Sequence, residues 1–145
     1  MGEILVGHDA DIARWMFAKA KCLPMAYNLA LGVMNDTGLI GGIMFTGYNG
    51  SDAEVHYYGP GGLTRKTVRA IFQAALGVFN LNRLTIRTRK DSMRRGVRKL
   101  GAVEECFVKR LYGPTDAYEH GAHQYVFYRE TMEKLAGLKE SQNVR

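Results

Sequence analysis

The chain has 145 residues, of which 46% are hydrophobic and 23% are charged. This length and composition are typical of one ordinary globular domain, and the hydrophobic fraction argues against disorder. No apolar run approaches the about 20 residues of a membrane span, and the first residues lack the basic flank and apolar core of a secretion signal. We therefore expect a cytoplasmic protein without a membrane partner.

The formal net charge of +6 comes largely from one stretch, residues 83–99. Such a cluster favours a polyanion such as nucleic acid, or a phosphorylated ligand. A solvated helix face beside a basic edge strand gives the same pattern, so both interpretations stay open. The basic residues of the stretch are Arg83, Arg87, Arg89, Lys90, Arg94, Arg95, Arg98 and Lys99, against one acid, Asp91.

The two cysteines, Cys22 and Cys106, form no CxxC pair. This spacing offers neither a metal site nor a redox motif, so we expect no bound metal. A cysteine without such a role is most simply a small apolar residue of the core. We therefore expect both thiols to be buried.

The first part of the chain predicts one helix followed by three antiparallel strands. Ile12, Trp15 and Met16 recur at helical spacing, and Pro24 lies just beyond the predicted end of this helix. The motifs NDTG and YNGSD are typical of tight turns between strands. The predicted helix covers residues 9–22, and the predicted strands cover residues 25–34, 39–48 and 53–58.

After a glycine-rich turn, apolar residues recur every three or four positions, which predicts a helix. Thr64 is expected to cap this helix, which ends near Asn80. A strand with one apolar and one basic face follows. Asp91 or Ser92 is expected to cap the next helix, and Gly101 suits its end. The remaining predictions are strands at residues 103–111 and 124–128, a long exposed loop between them, and a weak helix from residue 129.

The predicted order of elements, βαβββαβαββ, counts a strand before the first helix, leaves out the weak last helix, and defines the fold class. It is an α+β sandwich with a mixed, mostly antiparallel sheet of six to seven strands and helices on both faces. We expect residues 1–138 to form a single domain and residues 139–145 to form a flexible C-terminal tail.

Residues 39–128 resemble the GNAT acyltransferase superfamily, and within it the ribosomal-protein and general acetyltransferase branch. The resemblance rests on the strand AEVHYY, the glycine turn with its helix, the strand LNRLTIRT, and the KLGA that closes the following helix. The short N-terminal half is similar to compact, phage-type members. The resemblance implies a GNAT-like sheet and the use of acetyl-CoA.

The resemblance also implies where acetyl-CoA binds. In the family, the backbone of the third predicted strand hydrogen-bonds the pantetheine arm, and amides of the glycine turn cradle the pyrophosphate. The match to the family's turn is partial, because Gly59 replaces a basic or amide residue and Thr64 replaces a small one. A tight structural connection needs the same glycines, so that interpretation stays open. The implied cofactor residues are Tyr57, Tyr58, Gly59, Gly61, Gly62, Leu63, Thr64, Arg65 and Lys66.

Three residues are candidates for catalysis. Glu54 occupies the position where many relatives carry a general base, and His56 on the same strand face has a pKa suited to that task. Many relatives place a tyrosine where this chain has Val97, so Ser92, near the serine of the ribosomal branch, is the candidate acid. A structural carboxylate at Glu54 and an N-cap at Ser92 are the alternatives, and Tyr112 or a tyrosine of the third strand could replace the serine.

Two classes of function follow from these residues. The first is an N-acetyltransferase in which an amine of a protein, a nucleobase or a small molecule attacks acetyl-CoA directly. The second is a GNAT-like protein that has lost the cofactor and acts as a structural protein or binds nucleic acid through residues 83–99. A phage-type nucleobase-modifying transferase is a third hypothesis. Monomer and homodimer remain equally open.

Overall fold

The computed structural model describes residues 3–59 and 63–137. Gly61 and Gly62 of the glycine turn and the predicted tail lie outside the described residues. The strands are β1 (Glu3–Leu5), β2 (Leu29–Asn35), β3 (Gly38–Thr46), β4 (Asp52–Tyr58), β5 (Arg83–Thr88), β6 (Val103–Val108) and β7 (Ala122–Tyr128). The helices are α1 (Asp9–Ala20), α2 (Arg65–Gly77), α3 (Asp91–Lys99) and α4 (Arg129–Ala136), with a short 3-10 helix at Tyr118–His120.

The seven strands form one sheet in the order β1-β2-β3-β4-β5-β7-β6. Each neighbouring pair is antiparallel except β4 and β5, which run parallel. A parallel pair needs a long connection that crosses over the sheet, and α2 is that crossover. The predicted mixed, mostly antiparallel sheet with helices on both faces is confirmed.

Helix α1 packs on one face of the sheet, over β2, β3 and β4. Its residues Ile12 and Met16 form a small apolar cluster with Met44 of β3. Gly42 of β3 lies directly beneath the helix, where a Cβ atom would come within 2.6 Å of Met16. The missing side chain therefore allows α1 to approach the sheet closely.

The opposite face carries the larger core, beneath α2 and α4. Phe72 of α2 meets Phe127 of β7 edge to face, with ring centroids 4.8 Å apart. Helix α3 adds Val97, and α4 adds Met132, whose side chain is fully buried. The C-terminal segment that the sequence predicts as a weak helix is thus held by the core.

The start of α2 confirms the predicted cap, because the backbone N–H of Thr67 donates to Thr64 Oγ1 over 3.2 Å. The predicted cap of α3 is wrong, since Asp91 and Ser92 are already helical and Lys90 occupies the N-cap position without a side-chain bond. At the end of that helix, Gly101 adopts a φ of +106°, as expected for a glycine that ends a helix.

The expectation that both cysteines are buried is wrong, because both are exposed. Cys22 lies beyond the end of α1, after Lys21 has turned the chain with a φ of 55°. Cys106 follows an irregularity in β6, the edge strand of the sheet. Periodicity alone does not reveal the exposure of either position.

Within the described residues, no helix combines the length and the apolar character that crossing a bilayer would require.

We expect Met132→Ala to lower the free energy of unfolding by about 2–5 kcal/mol, because it leaves a cavity beneath α4. Urea unfolding followed by circular dichroism measures the change. The matched control is Lys134→Ala, which alters an exposed side chain of the same helix and should shift the value by no more than about 0.5 kcal/mol. Equal unfolding midpoints for the two variants would contradict this account of how α4 is held.

Candidate functional site

The strands β4 and β5 separate partway along their length. Their parallel ladder ends at the pair Glu54 and Thr85, although β4 continues to Tyr58 and β5 to Thr88. Beyond that pair the two strand edges face each other across a cavity of about 310 Å³. The cavity is lined by Val55, His56 and Tyr57 of β4, by residues 86–90, and by Met93 and Tyr112.

His56 lines this cavity from the middle of β4 and also lines a smaller one of about 190 Å³ beneath α1. Its Nε2 atom lies 2.9 Å from Thr46 Oγ1 of β3, and the two share a hydrogen bond. Burial lowers the pKa of His56, the Glu54 carboxylate opposes that effect, and the Arg87 guanidinium adds to it. The imidazole is therefore neutral near pH 7 and can accept a proton.

Glu54 lies on the same strand face as His56, as its alternation predicts. Its Oε1 atom is 3.7 Å from Arg87 Nη1, and Arg87 also donates from Nε to Gln124 Oε1 over 2.9 Å. The carboxylate is thus part of a polar network across β4, β5 and β7. It lines neither of the two cavities that His56 lines.

A second cavity of about 520 Å³ lies between the start of α2 and α3. Leu63, Thr64 and Arg65 line it from the glycine-turn side, as the resemblance implies for a cofactor site, and Ser92 lines it from the first turn of α3. The first turn of α2 contains no acidic residue. Backbone N–H groups and the positive end of the helix dipole therefore act together with Arg65, which favours an anion.

A third cavity, of about 740 Å³, joins these regions on the α1 side. Tyr57, Tyr58 and Gly59 line it together with Ser92. The structure thus brings the end of β4 and the start of α3 together, although they are far apart in sequence. Lys66 lies on the same turn of α2 but lines none of the cavities described here, and Gly61 and Gly62 fall outside the described residues.

The sequence did not single out Trp15 or Met93 for the site. Met93 lines all three of the larger cavities, and Trp15 meets Tyr58 edge to face with ring centroids 5.7 Å apart. Both occupy apolar positions of amphipathic helices, so their pattern is that of ordinary packing residues. Only the placement of α1 and α3 at the end of β4 assigns them to a cleft.

The loop between β6 and β7 closes one side of the cavity through Tyr112. The Arg89 guanidinium lies 4.5 Å from the centroid of the Tyr112 ring and donates to the backbone oxygen of Glu119 over 2.7 Å. At its other end the loop is held by Tyr118, whose hydroxyl shares a 2.7 Å hydrogen bond with His123 Nε2. The loop is therefore fastened to β5 and to β7.

The basic stretch of residues 83–99 does not form one continuous surface. Arg83 pairs with Glu105 at 2.6 Å, and Arg94 donates to the hydroxyls of Tyr125 and Tyr118 over 3.1 and 3.2 Å. Arg87 and Arg89 point to the cavity and its loop. The exposed remainder consists of Lys90, Arg95, Arg98 and Lys99. A nucleic-acid partner stays a prediction.

The fold is that of acetyltransferases of the GNAT family. Dodecameric spermidine N-acetyltransferase from Vibrio cholerae aligns with a TM-score of 0.68 at 13% identity, over 89% of this chain and 94% of that one. A GNAT-family acetyltransferase from Bacillus anthracis aligns with a TM-score of 0.55 at 16% identity, over 70% of this chain and 66% of that one.

A third crystal structure, with a provisional acetyltransferase assignment, aligns with a TM-score of 0.63 at 14% identity over 79% of this chain. This chain spans 65% of the length of that protein. At these identities the likeness establishes the fold alone. The sequence matches no protein-family model and no curated protein.

His56→Gln should make the fold less sensitive to mild acid. Because the folded protein lowers the pKa of His56, the unfolded chain binds that proton more readily, and stability falls as the pH drops below about 6.5. Glutamine does not titrate and can still bond Thr46. Urea unfolding at about pH 7.5 and 5.5 should therefore show a smaller loss for the variant than for the wild type.

His8→Gln is the matched control, because His8 is exposed and lies before α1. We expect it to lose as much stability as the wild type between the two pH values. If His56→Gln behaves like His8→Gln, the burial of a neutral imidazole in β4 does not contribute to the acid sensitivity.

Proposed function

We propose that this protein is an N-acetyltransferase that transfers an acetyl group from acetyl-CoA to an amine acceptor. The observation that carries the proposal is the separation of β4 from β5 after Glu54 and Thr85, next to a cleft at the N terminus of α2. The fold shared with acetyltransferases supports it.

The described residues fit the chemistry of acetyl-CoA, which joins an amide-containing arm to phosphate groups. The edge of β4 beyond Glu54 is not paired with β5, so its backbone groups can bond the amides of the arm. Thr64 and Arg65 lie where a helix N terminus favours phosphate. Leu63 and Met93 supply apolar surface beside them. We propose that the glycine turn, including Gly61 and Gly62, completes this site.

In the proposed reaction the acceptor nitrogen attacks the thioester carbonyl carbon, a C–N bond forms and the C–S bond breaks. The nitrogen must lose a proton, and the departing thiolate must gain one. We propose His56 as the base, because its neutral imidazole lines the cavity between β4 and β5. The Glu54 carboxylate then favours the protonated imidazole, and a direct role for Glu54 through water is the alternative.

We propose Tyr57 as the acid that protonates the thiolate, with Ser92 as the alternative. Both line the 740 Å³ cavity. Burial raises the pKa of Tyr57, so its hydroxyl keeps its proton at neutral pH, and the same shift makes it a weaker acid. Ser92 is exposed on the first turn of α3 and lines the cavity, which makes its hydroxyl accessible there.

Arg65→Glu should weaken acetyl-CoA binding about tenfold or more, because it replaces an attraction for phosphate by a repulsion. Calorimetric titration of the purified protein with acetyl-CoA measures the effect, which should shrink at high salt. Lys109→Glu makes the same charge change after β6, away from the cleft, and should leave the affinity unchanged. Equal losses in both variants would indicate a general charge effect and no phosphate site at α2.

His56→Gln should reduce kcat by about a hundredfold or more while the affinity for acetyl-CoA changes little, as expected for the loss of a general base. Glu54→Gln should reduce kcat less, because the imidazole remains. Initial rates of CoA release with a reactive amine give both values. A larger loss for Glu54→Gln would make Glu54 the base and His56 its neighbour.

If the protein binds no acetyl-CoA, the proposed function is wrong and nucleic acid becomes the first partner to test. The exposed residues Lys90, Arg95, Arg98 and Lys99 on and beside α3 are the observation that favours this second candidate.

A further inference from the structure

The cavities around the proposed base are lined by positive charge. Arg87, Arg89 and Lys90 line the cavity between β4 and β5, and Lys19 lines the neighbouring one together with Lys90. Among the described residues, no carboxylate lines these two cavities or the smaller one beneath α1. The charged side chains that line these cavities are therefore all positive, while the Glu54 carboxylate acts on His56 from outside them.

Among the described residues, a carboxylate pairs with only one of these four cations. Only Arg87 forms an ion pair, with Glu54 at 3.7 Å. Arg89 contacts a tyrosine ring and a backbone oxygen instead, and the Lys19 ammonium lies 5.8 Å from the centroid of the Trp15 ring. Aromatic faces and carbonyl oxygens hold a cation without cancelling its charge, so a net positive potential remains at the site.

This positive potential attracts or repels any second charged group that the acceptor carries in addition to its reacting amine. A second ammonium group would face Arg89 and Lys90 and bind poorly, whereas a carboxylate or phosphate at the same place would be attracted and oriented. The basic residues Arg65 and Lys99 lie in the separate cleft between α2 and α3, where the cofactor phosphates are proposed to bind. The cations near His56 are therefore available to the acceptor.

We infer that the acceptor is an anionic amine, in which a carboxylate or phosphate lies a few bonds from the nucleophilic nitrogen, and that Arg89 and Lys90 bind its acidic group. This inference rests on the proposed acetyltransferase function. It excludes polyamines as preferred acceptors of this site.

A set of amines with one carbon skeleton tests the inference: 4-aminobutyrate, butylamine and 1,4-diaminobutane. We expect kcat/KM to be about tenfold or more higher for 4-aminobutyrate than for butylamine, and lowest for the diamine. The advantage of 4-aminobutyrate should fall as salt is raised, because the attraction is electrostatic. A diamine that reacts as well as 4-aminobutyrate overturns the inference.

Variants identify the residues that carry the preference. Arg89→Gln and Lys90→Gln should each reduce the ratio of kcat/KM between 4-aminobutyrate and butylamine about threefold or more. Arg95→Gln removes an exposed arginine of α3 that lines none of the described cavities, and it should leave the ratio unchanged. Equal ratios in all three variants would overturn the assignment of Arg89 and Lys90.

Calorimetry separates failure of the inference from failure of the proposed function. If the protein does not bind acetyl-CoA, both are wrong. If it binds acetyl-CoA, the CoA-loaded protein is titrated with N-acetyl-4-aminobutyrate and with N-acetyl-1,4-diaminobutane, so that the measurement does not depend on turnover. Tighter binding of the anionic product supports the inference, and equal or weaker binding overturns the inference alone.

Discussion

The parallel pairing of β4 with β5 is the constraint on which the rest of the molecule depends. Both strands run in the same direction, so their ends lie at one edge of the sheet, and α2 must cross over between them. Because the ladder stops at Glu54 and Thr85, the strands diverge toward the ends from which the chain leads into α2 and α3. The strand edges and the N terminus of α2 thus border neighbouring cavities, and every proposed role in transfer depends on that placement.

The two apolar layers keep the diverging strands apart. Helix α1 holds β3 and β4 through a close contact over Gly42, while α2 and α4 pack on the opposite face and β7 pairs with β5. The gap therefore does not close by further pairing, since β4 and β5 are each fixed to a different neighbour. A loop fastened through Arg89 and Tyr118 borders the same gap. The cleft is a consequence of packing on both sides of it.

The charges near the cavity between β4 and β5 come from polar side chains of the sheet. Thr85 donates to Asp52, and Arg83 joins Asp52 to Glu105, so the charges at the start of β4 and β5 are paired. The acidic residues of β4, Asp52 and Glu54, lie in its first half, and β5 has none, whereas Arg89 and Lys90 directly follow the end of β5. Burial and the Arg87 guanidinium lower the pKa of His56 against the opposing Glu54 carboxylate, so a neutral imidazole lies in the same cavity as the cations that we assign to the acceptor's acidic group.

The features that arise within short segments follow from the amino-acid sequence alone. Helical spacing, the cap at Thr64, strand alternation and the NDTG hairpin are set by neighbours in the chain, and they were predicted correctly. The contacts between residues that are distant in sequence depend on the tertiary fold. Contacts between distant segments decide several features of this protein. They include the exposure of Cys106, the burial of Met132, the pairing of Arg83 with Glu105, and the convergence of β4, α2 and α3. Hydrophobic periodicity shows which face of an element is buried, but it does not show what that face packs against.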